Sequence, residues 1–130
     1  MHPGYVIEQV YLCSQAVDFR KSIDGLSALV EQSLSLNPFA AAVFVFVNRS
    51  RTKIKILYWH RNGFCLWYKR LEAQRFAWPV SLARGGVARN NLRDNGEHYS
   101  ITGEQLQWLL EGFDLWQHAP HKTLQFTSTT

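Results

Sequence analysis

Cysteine, charge and long apolar runs are all scarce in this sequence, and each shortage removes a class of protein. Only two cysteines occur, Cys13 and Cys65, far apart and without a C-x-x-C spacing. That pattern argues against a small disulfide framework and predicts reduced thiols in a cytoplasmic protein. The longest apolar run, Phe39 to Val47, is too short to cross a bilayer as a helix. The opening residues, MHPGYVIEQV, lack the basic and apolar regions of a signal peptide. Neither a membrane span nor secretion is predicted. Charged residues make up only 18% of the chain against 46% apolar, a globular balance far from the signature of disorder.

Chemical motifs are scarce too. No glycine-rich phosphate loop and no G-x-S-x-G elbow occurs. The five histidines, His2, His60, His98, His118 and His121, have no strong metal-ligand spacing, so neither a metal nor another cofactor is expected. Asp18, Asp24, Glu72, Asp94 and Asp114 would make a two-metal nuclease only if the fold gathered them, and nothing in their spacing points there. Cys65, five residues from His60, is expected to be a packed thiol and not a nucleophile. The chain is expected not to be an enzyme.

At 130 residues the chain suits one domain, 1–130, able to bury a core without staples. Fourteen Lys and Arg against ten Asp and Glu give a net charge of +4, with several cations between Arg49 and Arg93. The surplus mildly favours an anionic partner. Val6, Val10 and Leu12 share one parity and predict a strand from Tyr5 to Leu12. From Asp18 to Leu36, apolar residues recur every three or four positions, predicting a helix capped near Asp18 and ended by Asn37-Pro38. VFVFV, Val43 to Val47, is apolar on both parities, as a central strand covered on both faces should be. Thr52 to Trp59 and Phe64 to Leu71 predict two further strands.

The loop between those strands sets what each face presents. A three-residue connection with Gly63 left-handed would pair odd residues with odd, giving an apolar face of Ile54, Ile56, Tyr58, Phe64, Leu66 and Tyr68. The other face would carry Lys53, Lys55, Leu57, Trp59, Cys65, Trp67 and Lys69. A two-residue Asn62-Gly63 turn would mix lysines with Leu66 and Tyr68, a poorer partition, so the first register is expected. Phe76-Ala77-Trp78-Pro79 closes the meander. Residues 80–97, rich in glycine, asparagine and arginine, predict an exposed basic loop. Thr102 with Gln105 forms a capping box ahead of Leu106, Leu109, Leu110 and Phe113, with Gly112 near the helix end. A short strand at Thr123–Phe126 and a disordered tail, 127–130, would complete the chain. The expected fold is a single α+β domain: an antiparallel meander with an N-terminal strand, and two amphipathic helices packed on one face.

Three stretches together, YLCSQAVDFRKSIDGLSALV, VFVFVNRSRTKIKILYWHRNGFCLWYKRLEAQRFAWP and ITGEQLQWLLEGFD, resemble the TnpB accessory protein, the second open-reading-frame product, of insertion sequence 66-type transposons. The family's Asp-x-Arg-Lys-x-x-x-Gly pattern falls on Asp18, Arg20, Lys21 and Gly25, beside Asp24. Its lysine-bearing strand and following block fall on Lys53, Lys55, Trp59, Gly63, Lys69, Arg70, Trp78 and Pro79, and its last helix on Leu109, Leu110 and Gly112. The segment Val80 to Glu97 departs from the pattern, being longer and rich in arginine. The resemblance implies an accessory role in moving an insertion sequence, beside a separate transposase that carries the cutting chemistry.

Cations on the strands, with Trp59 and Trp67, have the means to bind phosphates and stack on bases. The bland alternative is a solvated strand face with guarding lysines and tryptophans under a helix. By spacing alone Arg20 and Asp24 suggest a surface ion pair, and Gly25 close packing of the helix on the sheet. With the resemblance, Arg20, Lys21, Lys53, Lys55, Trp59, Trp67, Lys69 and Arg70 become the expected contacts for element DNA or the transposase. A pure protein adaptor is the competing expectation.

Overall fold

The computed structural model describes residues 9–79, 93–94 and 97–112. Six strands form one sheet in the order β4-β3-β2-β1-β6-β5. In chain order the elements are β1 (Gln9–Cys13), α1 (Ile23–Gln32), β2 (Ala42–Val47), β3 (Lys53–His60), β4 (Gly63–Arg70), β5 (Arg93–Asp94), β6 (His98–Ile101) and α2 (Gly103–Leu110). The fold is α+β and mostly sheet.

β2 occupies the middle, and all six of its residues are buried. Val43, Val45 and Val47 point to one face; Ala42, Phe44 and Phe46 point to the other. An apolar residue at every position is therefore a requirement, since each face of the strand meets its own core. β2 runs antiparallel to β3, and β3 to β4, which gives the expected meander. β1 pairs in parallel with β2, with α1 as the crossover, and antiparallel with β6. Both β6 and this interior place for β1 were absent from the expectation.

The two helices lie on opposite faces of the sheet, not on one. Leu26 and Val30 of α1 pack with Phe44, Phe46 and Leu57. Leu106, Leu109 and Leu110 of α2 pack with Val10, Val43, Val45 and Ile56 on the other side. One-sided packing would have left the three Phe44, Phe46 and Leu57 side chains facing water, at a cost of about 1.5–3 kcal/mol each. On the α2 side, residues 71–79 run as a strap from the end of β4 back to β1. Phe76 and Trp78 plug the core there, and Trp78 Nε1 donates to the Cys13 carbonyl at 3.0 Å. Pro79, the next residue, is buried.

α1 begins at Ile23, after Ser22, and not at Asp18. The Asp18 carboxylate instead accepts the Arg20 backbone N–H at 2.9 Å, a local turn that competes with helix. α1 ends at Gln32, and Ser35 at φ 56 turns the chain before Asn37-Pro38 is reached. α2 starts as expected: the Thr102 hydroxyl accepts from the Gln105 N–H at 3.0 Å, and the Gln105 side chain accepts from Thr102 at 2.9 Å. Gly112, at φ 91, takes the left-handed position just past the helix.

The β3–β4 register also differs from the expected one. His60 pairs with Gly63, so the loop is Arg61-Asn62, with Arg61 and not Gly63 in the left-handed region at φ 59. Ile54, Ile56 and Tyr58 therefore share the α2 face with Cys65, Trp67 and Lys69. Lys53, Lys55, Leu57 and Trp59 share the α1 face with Phe64, Leu66, Tyr68 and Arg70. Mixed faces are tolerable because helices shelter parts of both. Of the predicted basic loop, Arg93 and Asp94 pair with β6 as β5; residues 80–92 lie outside the described residues, as do the predicted strand at 123–126 and tail at 127–130.

Candidate nucleic-acid interface

Three chain segments meet where β2 ends and β3 begins. The Val17 N–H donates to the Val47 carbonyl at 2.9 Å, which docks the β1–α1 loop against the end of β2. The turn after β2 is built by Asn48, whose Oδ1 accepts from the Thr52 and Lys53 N–H groups at 2.9 and 3.0 Å. Arg51 sits there at φ 62, and its carbonyl accepts the Phe76 N–H at 2.7 Å, drawing in the strap. Lys53 then pairs across the sheet with Arg70.

These links bring Arg20 and Lys21, Arg49, Arg51 and Lys53, and Arg70 and Arg75 to one end of the sheet. All but the half-buried Lys53 are exposed. Arg20 is committed to Asp18, with Nη2 to Oδ2 at 2.6 Å, and Arg70 to Glu72, with Nε to Oε2 at 2.9 Å. Hydrogen bonds from Arg20 hold the Asp18 carboxyl down at about 2, and reciprocally raise the Arg20 guanidinium. Arg49, Arg51, Lys53 and Arg75 meet no carboxylate among the described residues. Other carboxylates at this end, Asp24, Glu97 and Glu111, lie on α1, before β6 and after α2. Cations without a carboxylate partner among the described residues are therefore concentrated around the β2–β3 turn, a surface suited to phosphate. Arg49, Arg51 and Arg75 were not among the expected contact residues. Their clustering depends on how turns converge, for which spacing along the chain offers no signal.

The other expected contacts are dispersed. Lys55 Nζ donates to the carbonyls of Phe19 and Lys21, both at 2.8 Å, and stands 4.9 Å from the centre of the Phe19 ring. Burial first, and repulsion from Lys53 second, lower its pKa. This lysine pins the loop that displays Arg20 and Lys21. Lys69 turns to the opposite face, where its Nζ donates at 2.8 Å to the Leu110 carbonyl at the C-terminal end of α2, a favourable place for a cation. Trp67 is half-buried against the α2-side core. Trp59 lies at the far end of the sheet, with its ring centre 4.9 Å from that of Phe39 and 5.0 Å from that of Phe64. Of the motif residues Asp18, Arg20, Lys21, Asp24 and Gly25, only Asp24 and Gly25 fall within α1. Arg20 pairs with Asp18 and not with Asp24. At Gly25 an added Cβ would lie 3.2 Å from Lys21 Cβ, so its close neighbour is the Lys21 stem and not the sheet.

Below the β1–α1 loop opens a cleft of about 380 Å³, lined by Cys13, Val17, Asp18, Lys21 and Glu97 among others. Burial raises the Cys13 thiol above its ordinary range, leaving a packed and unreactive group. Among the described residues no three of His, Cys, Asp and Glu lie close enough to hold a metal ion; Asp114 falls outside them. No described helix is long and apolar enough to cross a membrane.

Residues 8–120 match the family model described as IS66 Orf2-like protein. The chain belongs to the IS66 Orf2-like family. Members of this family are accessory to the transposition of IS66-type elements, and the basic surface described above sits on an IS66 Orf2-like chain. Two relatives come from Sinorhizobium fredii, both described as uncharacterized proteins. One, y4hO, is 34% identical over 115 residues, covering 88% of this chain and 87% of its own. The other, y4jC, is 30% identical over 100 residues, covering 77% and 80%. No solved structure matches this IS66 Orf2-like chain significantly.

Proposed function

We propose that this IS66 Orf2-like protein is a non-catalytic accessory factor that holds DNA of its own element, through the basic end of the sheet, while a separate transposase cuts. The observation that carries the reading is the convergence of Arg49, Arg51, Lys53 and Arg75, from two segments, beside the Lys55-pinned loop that bears Arg20 and Lys21. Side chains on turns and loops held by a rigid sheet can follow a phosphate backbone without rearranging the core. The test is fluorescence anisotropy with labelled DNA from the element's ends at 50 and 200 mM salt. Affinity is expected to fall steeply with salt, and the triple variant Arg49→Glu, Arg51→Glu, Lys53→Glu to bind at least tenfold more weakly. Absent binding, or binding indifferent to salt and to these changes, would sink the reading.

A second reading, an adaptor for the transposase, is favoured by β4. Among the described residues this eight-residue strand pairs only with β3, which leaves one long edge open to strand addition by a partner. A transposase pull-down that survives nuclease treatment would support it; a complex lost on nuclease treatment would count against it.

A further inference from the structure

The α1-side margin of the β3–β4 hairpin changes character in even steps. In register, its residue pairs are Lys53 with Arg70, Lys55 with Tyr68, Leu57 with Leu66, and Trp59 with Phe64. Leu57 is sealed under α1, but Tyr68 is 50% exposed. At the far end Phe39 reaches over from the segment after α1. Its ring centre lies 5.2 Å from that of Phe64, and 54% of the residue is open to water. Among the described residues, Tyr68 and Phe39 are the two large apolar side chains left exposed. Both lie on this one margin, and the margin begins at the cationic end. Large rings left in water next to a phosphate-binding surface have a specific use, because every nucleobase presents a π-face and a single strand leaves that face free.

We infer that this margin is a track for single-stranded DNA, with the backbone anchored at Lys53 and the β2–β3 turn, and bases stacked on the exposed rings of Tyr68 and Phe39. The inference rests on the DNA-binding reading above and narrows its substrate from DNA to an unpaired strand. Alternate residues on a strand are about 7 Å apart, close to the step between phosphates in an extended single strand. From Arg70 past Tyr68 to Phe64, against which Phe39 packs, the strand covers about 20 Å, enough for a site of about four nucleotides. Paired bases cannot use the track, since their faces are already stacked within the helix. Lys55 contributes indirectly by fixing the loop beside Tyr68.

The experiment compares a labelled 20-nucleotide single strand with its duplex, titrated with the full chain at fixed salt. The single strand is expected to bind at least tenfold more tightly. Tyr68→Ala and Phe39→Ala should each weaken single-strand binding fivefold or more and leave duplex binding unchanged, whereas Tyr68→Phe, which keeps the ring, should retain it. Thermal melts establish that each variant is folded; these exposed side chains leave the core intact. Equal affinity for both DNA forms, or single-strand binding indifferent to Tyr68→Ala and Phe39→Ala, overturns the track. If Arg49→Glu with Arg51→Glu still weakens salt-sensitive binding in that case, the accessory reading stands alone. Binding of neither form overturns both. Loss of transposase capture on Tyr68→Ala, with single-strand affinity unchanged, would reassign the margin to protein and reject the track.

Discussion

Replacing Lys55 by Met should loosen the protein without removing a DNA contact, and the two effects are separable. The ammonium donates to two backbone carbonyls at 2.8 Å and faces the Phe19 ring at 4.9 Å. A half-exposed charged donor contributes about 1 kcal/mol per hydrogen bond, below the figure for buried ones, and the ring contact adds about 0.5–1 kcal/mol. Met keeps most of the apolar stem and avoids desolvating the ammonium, the main cause of the lowered Lys55 pKa. The net expected loss is therefore about 1–2 kcal/mol. In urea, with a slope of about 2 kcal/mol per molar, the midpoint should fall by roughly 0.5–1 M. Amide exchange should accelerate around residues 17–21. The salt slope of DNA binding should stay unchanged in Lys55→Met, whereas Lys53→Met should reduce it by about one. Wild-type stability in Lys55→Met would refute its structural assignment, and a salt slope that drops as in Lys53→Met would show that Lys55 is a phosphate contact.

Three further outcomes are expected. Trp78→Phe keeps a ring in the core but loses the bond from Nε1 to the Cys13 carbonyl; calorimetry should show a loss of about 1–3 kcal/mol, because a buried carbonyl is left unpaired. Thr102→Ala removes one half of the α2 capping box and should cost about 1 kcal/mol in chemical denaturation. Asp18 is held at about 2 in the folded chain against an ordinary 3.8, so its stabilising contribution is complete above about pH 4 and disappears as pH falls through 2. Denaturation between pH 5 and 2 should therefore show a flatter profile for Asp18→Asn than for the wild type.

What could be read from the chain followed how much of each signal was local. Val43 to Val47 announced a central strand because both parities are apolar, and Thr102 with Gln105 announced α2 because a capping box is complete within four residues. The same two-sided pattern of β2 already called for a cover on each face, which conflicts with two helices on one side; the conflict was visible in VFVFV itself. The hairpin register failed for a related reason. A partition into clean apolar and polar faces is favoured only when one face is wet, and here the strap and α2 shelter one side while α1 shelters the other. At Asp18 a capping-type residue served a turn and not a helix, since its carboxylate was taken by Arg20. β6, only four residues long, was too short for an alternation to register. Of the expected contact residues, Arg20, Lys21, Lys53 and Arg70 do converge, while Lys55 and Lys69 are bound to carbonyls inside the fold. A lysine on a strand looks the same in sequence whether its ammonium meets solvent or a backbone oxygen 30 or 40 residues away.

The interior place of β1 imposes an order on how the chain is made. Val10 pairs with Val43 on one side but with Ile101 on the other, so its second neighbour leaves the ribosome about ninety residues later. The meander of β2, β3 and β4 closes through short turns and can form early; β1 can join it through α1 while its other edge stays bare. That edge, and the core beneath α2, remain open until His98–Ile101 and the helix behind it emerge. A chain cut short before residue 98 would therefore present an unpaired, apolar strand from the middle of its sheet, and premature termination should yield aggregation-prone material in place of a smaller folded domain.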